Sequence, residues 1–221
     1  MIVTDELIFI HLFRTGGTTI NSTLQGKMIG YHRPRSLIPE QYLHLPVVGN
    51  VRNPFDWYVS VYHHCLNYCY PMKTPTFLNY ILNFKRYTFK ESIRRLIDTS
   101  WMDSIDKEQC LSHFPSNYNW SATLLDNLRK TECESYLNGD IGYLSWLFNY
   151  MYQYNGSTEG VTYNKLEDLK DYPKLNSTLN SVVKPRKSDY MYYYDDDLIE
   201  LILNKDADYI NKFNYHPSLC Q

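Results

Sequence analysis

Residues 7–19 read LIFIHLFRTGGTT. The first half is a short apolar run rich in Ile and Phe, bounded by a Gly-Gly turn, and it predicts a buried strand over 7–12. Ile20, Leu24 and Met28 then recur at helical intervals, which predicts a helix over 18–28 that Gly30 stops. A strand therefore delivers the chain to two glycines and a helix start. Backbone N–H groups at such a start have no partner within the helix, so an anion fits there. Gly16 and Gly17 let the backbone approach a ligand closely. Thr15, Thr18 and Thr19 add hydroxyl donors, and Arg14 adds a permanent charge. The spacing G-x-x-x-x-G-K-[ST] is absent, so this is not a Walker A loop. Most Gly-Gly pairs are plain turns; the strand before this one, the helix after it and the cation beside it favour an anion cradle.

Working outward, residues 45–62 read LPVVGNVRNPFDWYVSVY. The apolar run 45–51 predicts a second strand, with Pro46 at its start. Asn53 and Pro54 suit the N-cap and the first helical position. Phe55, Tyr58, Val59, Tyr62, Leu66 and Cys69 then form one helical stripe. Arg52 falls at the carboxyl end of the strand, where ligands gather in open α/β sheets, and a guanidinium grips phosphate bidentately. Ser60, on the following helix, offers a hydroxyl. Standing alone, this pair would read as a surface arginine and a helix serine.

Strand, turn, helix, strand, helix predicts an α/β fold around a parallel sheet. Residues 160–163 predict a third strand, followed by a short acidic helix near Leu166 and Leu169. Further helices are predicted over 88–98, 143–153 and 195–213. Three aspartates open the last of these, at the positive end of its dipole. The stretch 99–142 has no readable pattern. No internal repeat or linker stands out, so residues 1–221 are expected to form a single domain.

Composition sets outer limits. The 221 residues are 43% hydrophobic and 21% charged, with 22 tyrosines. Tyrosines line sugar and adenine sites, and a biased overall composition produces them equally. A net charge of −2 provides no global field toward nucleic acid or membranes, so an anionic ligand must be held locally. The five cysteines, Cys65, Cys69, Cys110, Cys133 and Cys220, include no C-x-x-C pair and point to a reducing, cytoplasmic compartment. The N-terminal segment has neither signal-peptide nor membrane-span character.

FIHLFRTGGTT resembles the 5′-phosphosulfate loop of the sulfotransferases, in particular the carbohydrate (Golgi-type) branch, whose loop reads close to HIPKTGGTS. The family has lysine where this chain has Arg14. VRNPFDWYVSVY resembles the family's 3′-phosphate motif, matching at Arg52, Asn53, Pro54, Ser60 and Tyr62; an arginine often found after the proline is absent. The resemblance implies a P-loop-like three-layer fold, a central parallel sheet flanked by helices. It also implies transfer of a sulfuryl group from 3′-phosphoadenosine-5′-phosphosulfate (PAPS) to a hydroxyl, expected to be on a glycan, with adenosine 3′,5′-bisphosphate as product. Arg14, Thr15, Gly16, Gly17, Thr18, Thr19, Arg52 and Ser60 would bind the donor, and Arg14 would also stabilise the departing phosphosulfate. No metal, nucleic acid or membrane span is called for.

In that branch a histidine between the two motifs serves as base, which implies the role for His32; a solvated loop histidine is the plain alternative. His63 is the reserve base, and His11 has a packing role. Arg33 and Arg35 flank His32, either to meet an anionic acceptor or as a solvated basic loop. Lys184 and Arg186, in a late loop, resemble the family segment that closes over the nucleotide. Residues 161–168 resemble a structural family segment. The resemblance does not reach residues 70–155, which are expected to be mostly helical and to build the acceptor side. A catalytically silent nucleotide- or glycan-binding module on the same fold is a second reading, which the lysine-to-arginine change at Arg14 favours. A P-loop-like kinase is a third, weakened by the missing Walker lysine.

Overall fold

Five short strands build the sheet. In the computed structural model, which describes residues 1–30, 32–69, 77–83, 86–104, 134–171 and 190–217, β1 is Ile2–Val3, β2 Ile8–Ile10, β3 Lys27–Met28, β4 Val47–Val51 and β5 Val161–Lys165. They lie in the order β3-β1-β2-β4-β5. β2, β4 and β5 run parallel, with Phe9 opposite Val48 and Val48 opposite Thr162. β1 pairs antiparallel with both β2 and β3. The expected parallel sheet is therefore the larger part of a mixed one. The structure is α/β, and the three strands anticipated from pattern are its parallel members.

Residue contacts divide the chain into two compact units, Met1–Asn53 with Phe148–Ser188, and Pro54–Leu147 with Asp189–Gln221. The first holds the sheet. On one face Tyr152 covers Gly49 so closely that a β-carbon there would lie 2.3 Å from its ring. The Tyr152 hydroxyl sits 3.3 Å from the Ile10 carbonyl and 3.1 Å from that of Asn50, and Phe148 packs on Tyr163. The other face buries Phe9 with Ile2 and with Ile20 of α1 (Gly17–Thr23), and Leu7, Leu24, Val48 and Leu166 pack around them. Ile2, Phe9 and Ile20, the buried three, each stabilise the unit by roughly 1.5–3 kcal/mol relative to exposure.

Two boundaries differ from the sequence expectation. The helix predicted over 18–28 ends at Thr23, and Leu24 is extended at ψ 118°. Gly26 then passes so close to β1 that a β-carbon would meet the Val3 carbonyl at 2.7 Å. That approach sets Met28 opposite Ile2 in β3, where it is 40% exposed rather than on a helix face. The strand predicted over 7–12 is paired only at Ile8–Ile10, because the chain then turns into the glycine loop.

The second unit is helical among its described residues. α2 (Pro54–His64) runs into a π-helical turn, Cys65–Cys69. α3 is Phe77–Leu82 and α4 Phe89–Ile97, the latter opened by a Thr88–Glu91 capping box. α5 (Tyr143–Tyr152) begins in this unit and ends in the first. The helix predicted over 195–213 is two helices, α6 (Asp196–Lys205) and α7 (Ala207–Phe213). The break is Asp206, fully buried, which accepts hydrogen bonds from the Tyr58 hydroxyl at 2.6 Å and the Ser145 N–H at 2.8 Å. Holding a carboxylate against those donors costs the straight helix its continuity. Among the described residues no helix is long and apolar enough to cross a membrane.

Candidate functional site

The glycine loop starts where β2 ends, and its backbone is bent by two left-handed residues, Arg14 at φ 62° and Gly16 at φ 79°. For glycine that conformation is free of β-carbon strain; for arginine it costs about 1 kcal/mol or more and persists only where neighbours hold it. β4 and the residue that follows it supply the hold. The Asn50 amide donates to the Thr15 carbonyl at 3.2 Å, and the Arg52 guanidinium donates to the Arg14 carbonyl at 3.0 Å. Since a trans peptide points its C=O and N–H in opposite directions, the Thr15 and Gly16 N–H groups face away from β4. The adjacent parallel strands β2 and β4 thus bring Arg14 and Arg52, 38 residues apart, to the same sheet edge.

The other predicted loop residues have distinct places. Thr15 is fully buried and donates its hydroxyl to the Leu12 carbonyl at 2.8 Å. It braces the loop from inside instead of offering that hydroxyl outward as expected. Gly16 is the N-cap of α1. Gly17 touches His11: a β-carbon there would lie 1.8 Å from the ring. Thr18 and Thr19 follow in the first turn; the Thr18 side chain lies outside what is described. Thr19 donates its N–H to the Gly16 carbonyl, and its own carbonyl accepts from the Ser22 and Thr23 hydroxyls. Ser60 is half-buried on α2 in the second unit. Lys184 and Arg186 lie outside the described residues.

His32 joins the loop. Its Nδ1 is 2.9 Å from the His11 carbonyl, and a carbonyl can only accept, so Nδ1 carries the hydrogen. In the neutral ring Nε2 then holds the lone pair, the form a general base needs. The rings of His11 and His32 lie 4.4 Å apart, and Phe13 meets His32 edge-on at 5.6 Å. His32 is itself left-handed at φ 46°. His11 is 5% exposed, and its Nδ1 meets no hydrogen-bond partner among the described residues. Burial, with smaller contributions from the charges of His32 and Arg14, pushes its pKa down to about 3. It is therefore a neutral wedge between the base candidate and the start of α1.

The flanking arginines are turned to structure. Arg33 donates to the Ile29 carbonyl at 3.1 Å. Arg35 donates to the Glu159 carbonyl at 2.6 Å and lies over the Tyr154 ring, tying this segment to the turn before β5. His63, the reserve base, pairs with the Tyr193 hydroxyl at 3.0 Å within the second unit. Among the described residues no three His, Cys, Asp or Glu side chains gather into a metal-binding group.

Sequence reasoning missed two supports. Asn50 is a polar residue inside the apolar run VVGNV, and that interruption was the signal for a side chain with a specific hydrogen-bonding task. Glu167, in the segment assigned a structural role, accepts the Asn53 N–H at 2.6 Å, fixing the chain just after Arg52. No protein-family model matches this chain, and no match is found among curated proteins or among solved structures.

Proposed function

We propose that this chain is a PAPS-dependent sulfotransferase that sulfates a hydroxyl, with a carbohydrate as acceptor, in the reducing environment of the cytoplasm. The observation that carries the reading is the Arg52–Arg14 hydrogen bond, 3.0 Å long, which joins the two phosphate motifs at one sheet edge. In this reading the three parallel strands and the glycine loop are a P-loop-like core. The loop N–H groups that face away from β4 receive the 5′-phosphosulfate, and Arg52 meets the 3′-phosphate.

The chemistry follows the template of phosphoryl transfer, in which positioning and charge stabilisation do most of the work. His32 Nε2 takes the acceptor proton, the acceptor oxygen bonds to sulfur, and the bond from sulfur to the bridging phosphate oxygen breaks. Adenosine 3′,5′-bisphosphate leaves with its new charge beside Arg14. A base so placed contributes roughly 10²–10⁴ in rate.

A labelled-sulfate transfer assay with PAPS against glycans, phenols and lipids tests the proposal, alongside binding of adenosine 3′,5′-bisphosphate and ATP. Transfer to a glycan and preference for the bisphosphate support it; binding of neither nucleotide removes it. Arg14, in place of the family lysine, favours a second reading, a silent module that binds the nucleotide without turnover. Arg14→Lys separates the two: activity appears in a silent module and changes only modestly in an enzyme.

A further inference from the structure

Arg52 is held at three points, and the third has no part in the sulfuryl-transfer reading so far. Before it, Val51 pairs with Lys165 of β5. Its guanidinium donates to the Arg14 carbonyl at 3.0 Å. After it, the Asn53 N–H donates to Glu167 Oε1 at 2.6 Å. The β4–β5 register ends at Val51 and Lys165, and the Asn53 N–H, two residues on, goes to a side chain instead of a strand carbonyl. Glu167 is delivered there by its own strand. It lies two residues past the end of β5, in the 3-10 turn Leu166–Asp171. Its neighbour Leu166 packs against the core of Ile2, Phe9 and Ile20, which ties the turn down, while Glu167 itself is exposed.

We infer that Glu167 is a positioning residue of the 3′-phosphate site, an inference that rests on the sulfotransferase reading. By fixing the peptide between Arg52 and Asn53 it sets the direction in which the Arg52 side chain leaves the backbone. The preference for a nucleotide that carries a 3′-phosphate follows from that direction. A long side chain magnifies any rotation of the peptide at its base, and binding groups must be held within about 0.5 Å of their working geometry by their neighbours. A carboxylate on a backbone N–H forms a short, charge-assisted bond suited to the task. Its negative charge by itself opposes a phosphate at Arg52. Whatever Glu167 adds to binding therefore comes from geometry and not from attraction.

The test compares adenosine 3′,5′-bisphosphate with adenosine 5′-monophosphate, which differ only in the 3′-phosphate, by calorimetry on the whole chain and two variants. Glu167 is exposed, so the fold tolerates both substitutions. Glu167→Ala and Glu167→Gln lose the same charge, but only Glu167→Gln keeps an acceptor for the Asn53 N–H. Glu167→Gln should bind the bisphosphate at least as tightly as the wild-type chain. Glu167→Ala should bind it about tenfold more weakly than Glu167→Gln, with the monophosphate bound equally by both variants. The Asn53 amide proton, followed by NMR without nucleotide, should move upfield in Glu167→Ala and less so in Glu167→Gln. Equal bisphosphate affinity in the two variants overturns the inference. So does a loss in Glu167→Ala shared equally by the two nucleotides, which is what a brace for the sheet alone would give. A wild-type chain that binds the bisphosphate no more tightly than the monophosphate removes the sulfotransferase reading itself, and the inference with it.

Discussion

His32 donates its Nδ1–H to the carbonyl of His11 at 2.9 Å while the two rings lie 4.4 Å apart. One histidine therefore sets both the tautomer and the position of the other, through its backbone and its ring together. The same His11 ring packs against Gly17 at the start of α1, so base candidate and anion loop share one support. That support stays neutral, because burial penalises its charged form.

Acidification should reveal this. The folded His11 pKa, near 3, lies below the ordinary value of 6.5, so the unfolded chain binds the proton more readily. His11's contribution to stability is complete above about pH 6.5 and is lost as pH falls toward 3, at about 1 kcal/mol per pH unit. Urea unfolding at pH 7, 5.5 and 4.5 measures the slope. His11→Asn should be less stable at pH 7 but flatter with pH; an equally steep profile in the variant would show that other groups carry it.

Arg52→Ala and His32→Ala should separate binding from turnover. Losing the guanidinium removes charge-assisted bonds worth about 1.5–3 kcal/mol and should weaken adenosine 3′,5′-bisphosphate roughly 10–100-fold. His32→Ala should leave that affinity close to wild type and lower the transfer rate roughly 10²–10⁴-fold. Calorimetry and single-turnover rates read the two effects, and a near-normal rate in His32→Ala rules out its role as base.

Gly17→Ala tests the shared support directly. The new methyl would need the space of the His11 ring, 1.8 Å away, and overpacking of this kind costs about 1–3 kcal/mol. Thermal unfolding should shift down by several degrees, with weaker bisphosphate binding. Gly156→Ala, where nothing lies within 4 Å, should leave nucleotide affinity unchanged despite its strained φ.

Tyr58→Phe should destabilise the helical unit. The hydroxyl donates to Asp206 and accepts the Leu144 N–H at 3.2 Å, and its loss leaves two buried partners unsatisfied, about 1–3 kcal/mol each. Burial already raises the Asp206 pKa, so the fold holds that proton more tightly and favours the protonated form as pH falls. The variant's deficit, measured by urea unfolding, should therefore be greater at pH 7 than at pH 4.

What the sequence determined by itself was local. Apolar runs bounded by Gly and Pro marked β2, β4 and β5, and helical spacing marked α2, α4 and α5, because burial periodicity is written along the chain. The same logic placed Arg14 and Arg52 at strand ends. Tertiary structure decided whatever needs a partner distant in sequence. Gly26 against Val3 turned a predicted helix end into β3, and Asp206 between Tyr58 and Ser145 broke the last helix. Thr15 turned inward, and His11 proved to anchor both His32 and Gly17. Periodicity records which side of an element is buried, but which polar group satisfies which is fixed only when the fold brings them within hydrogen-bond distance.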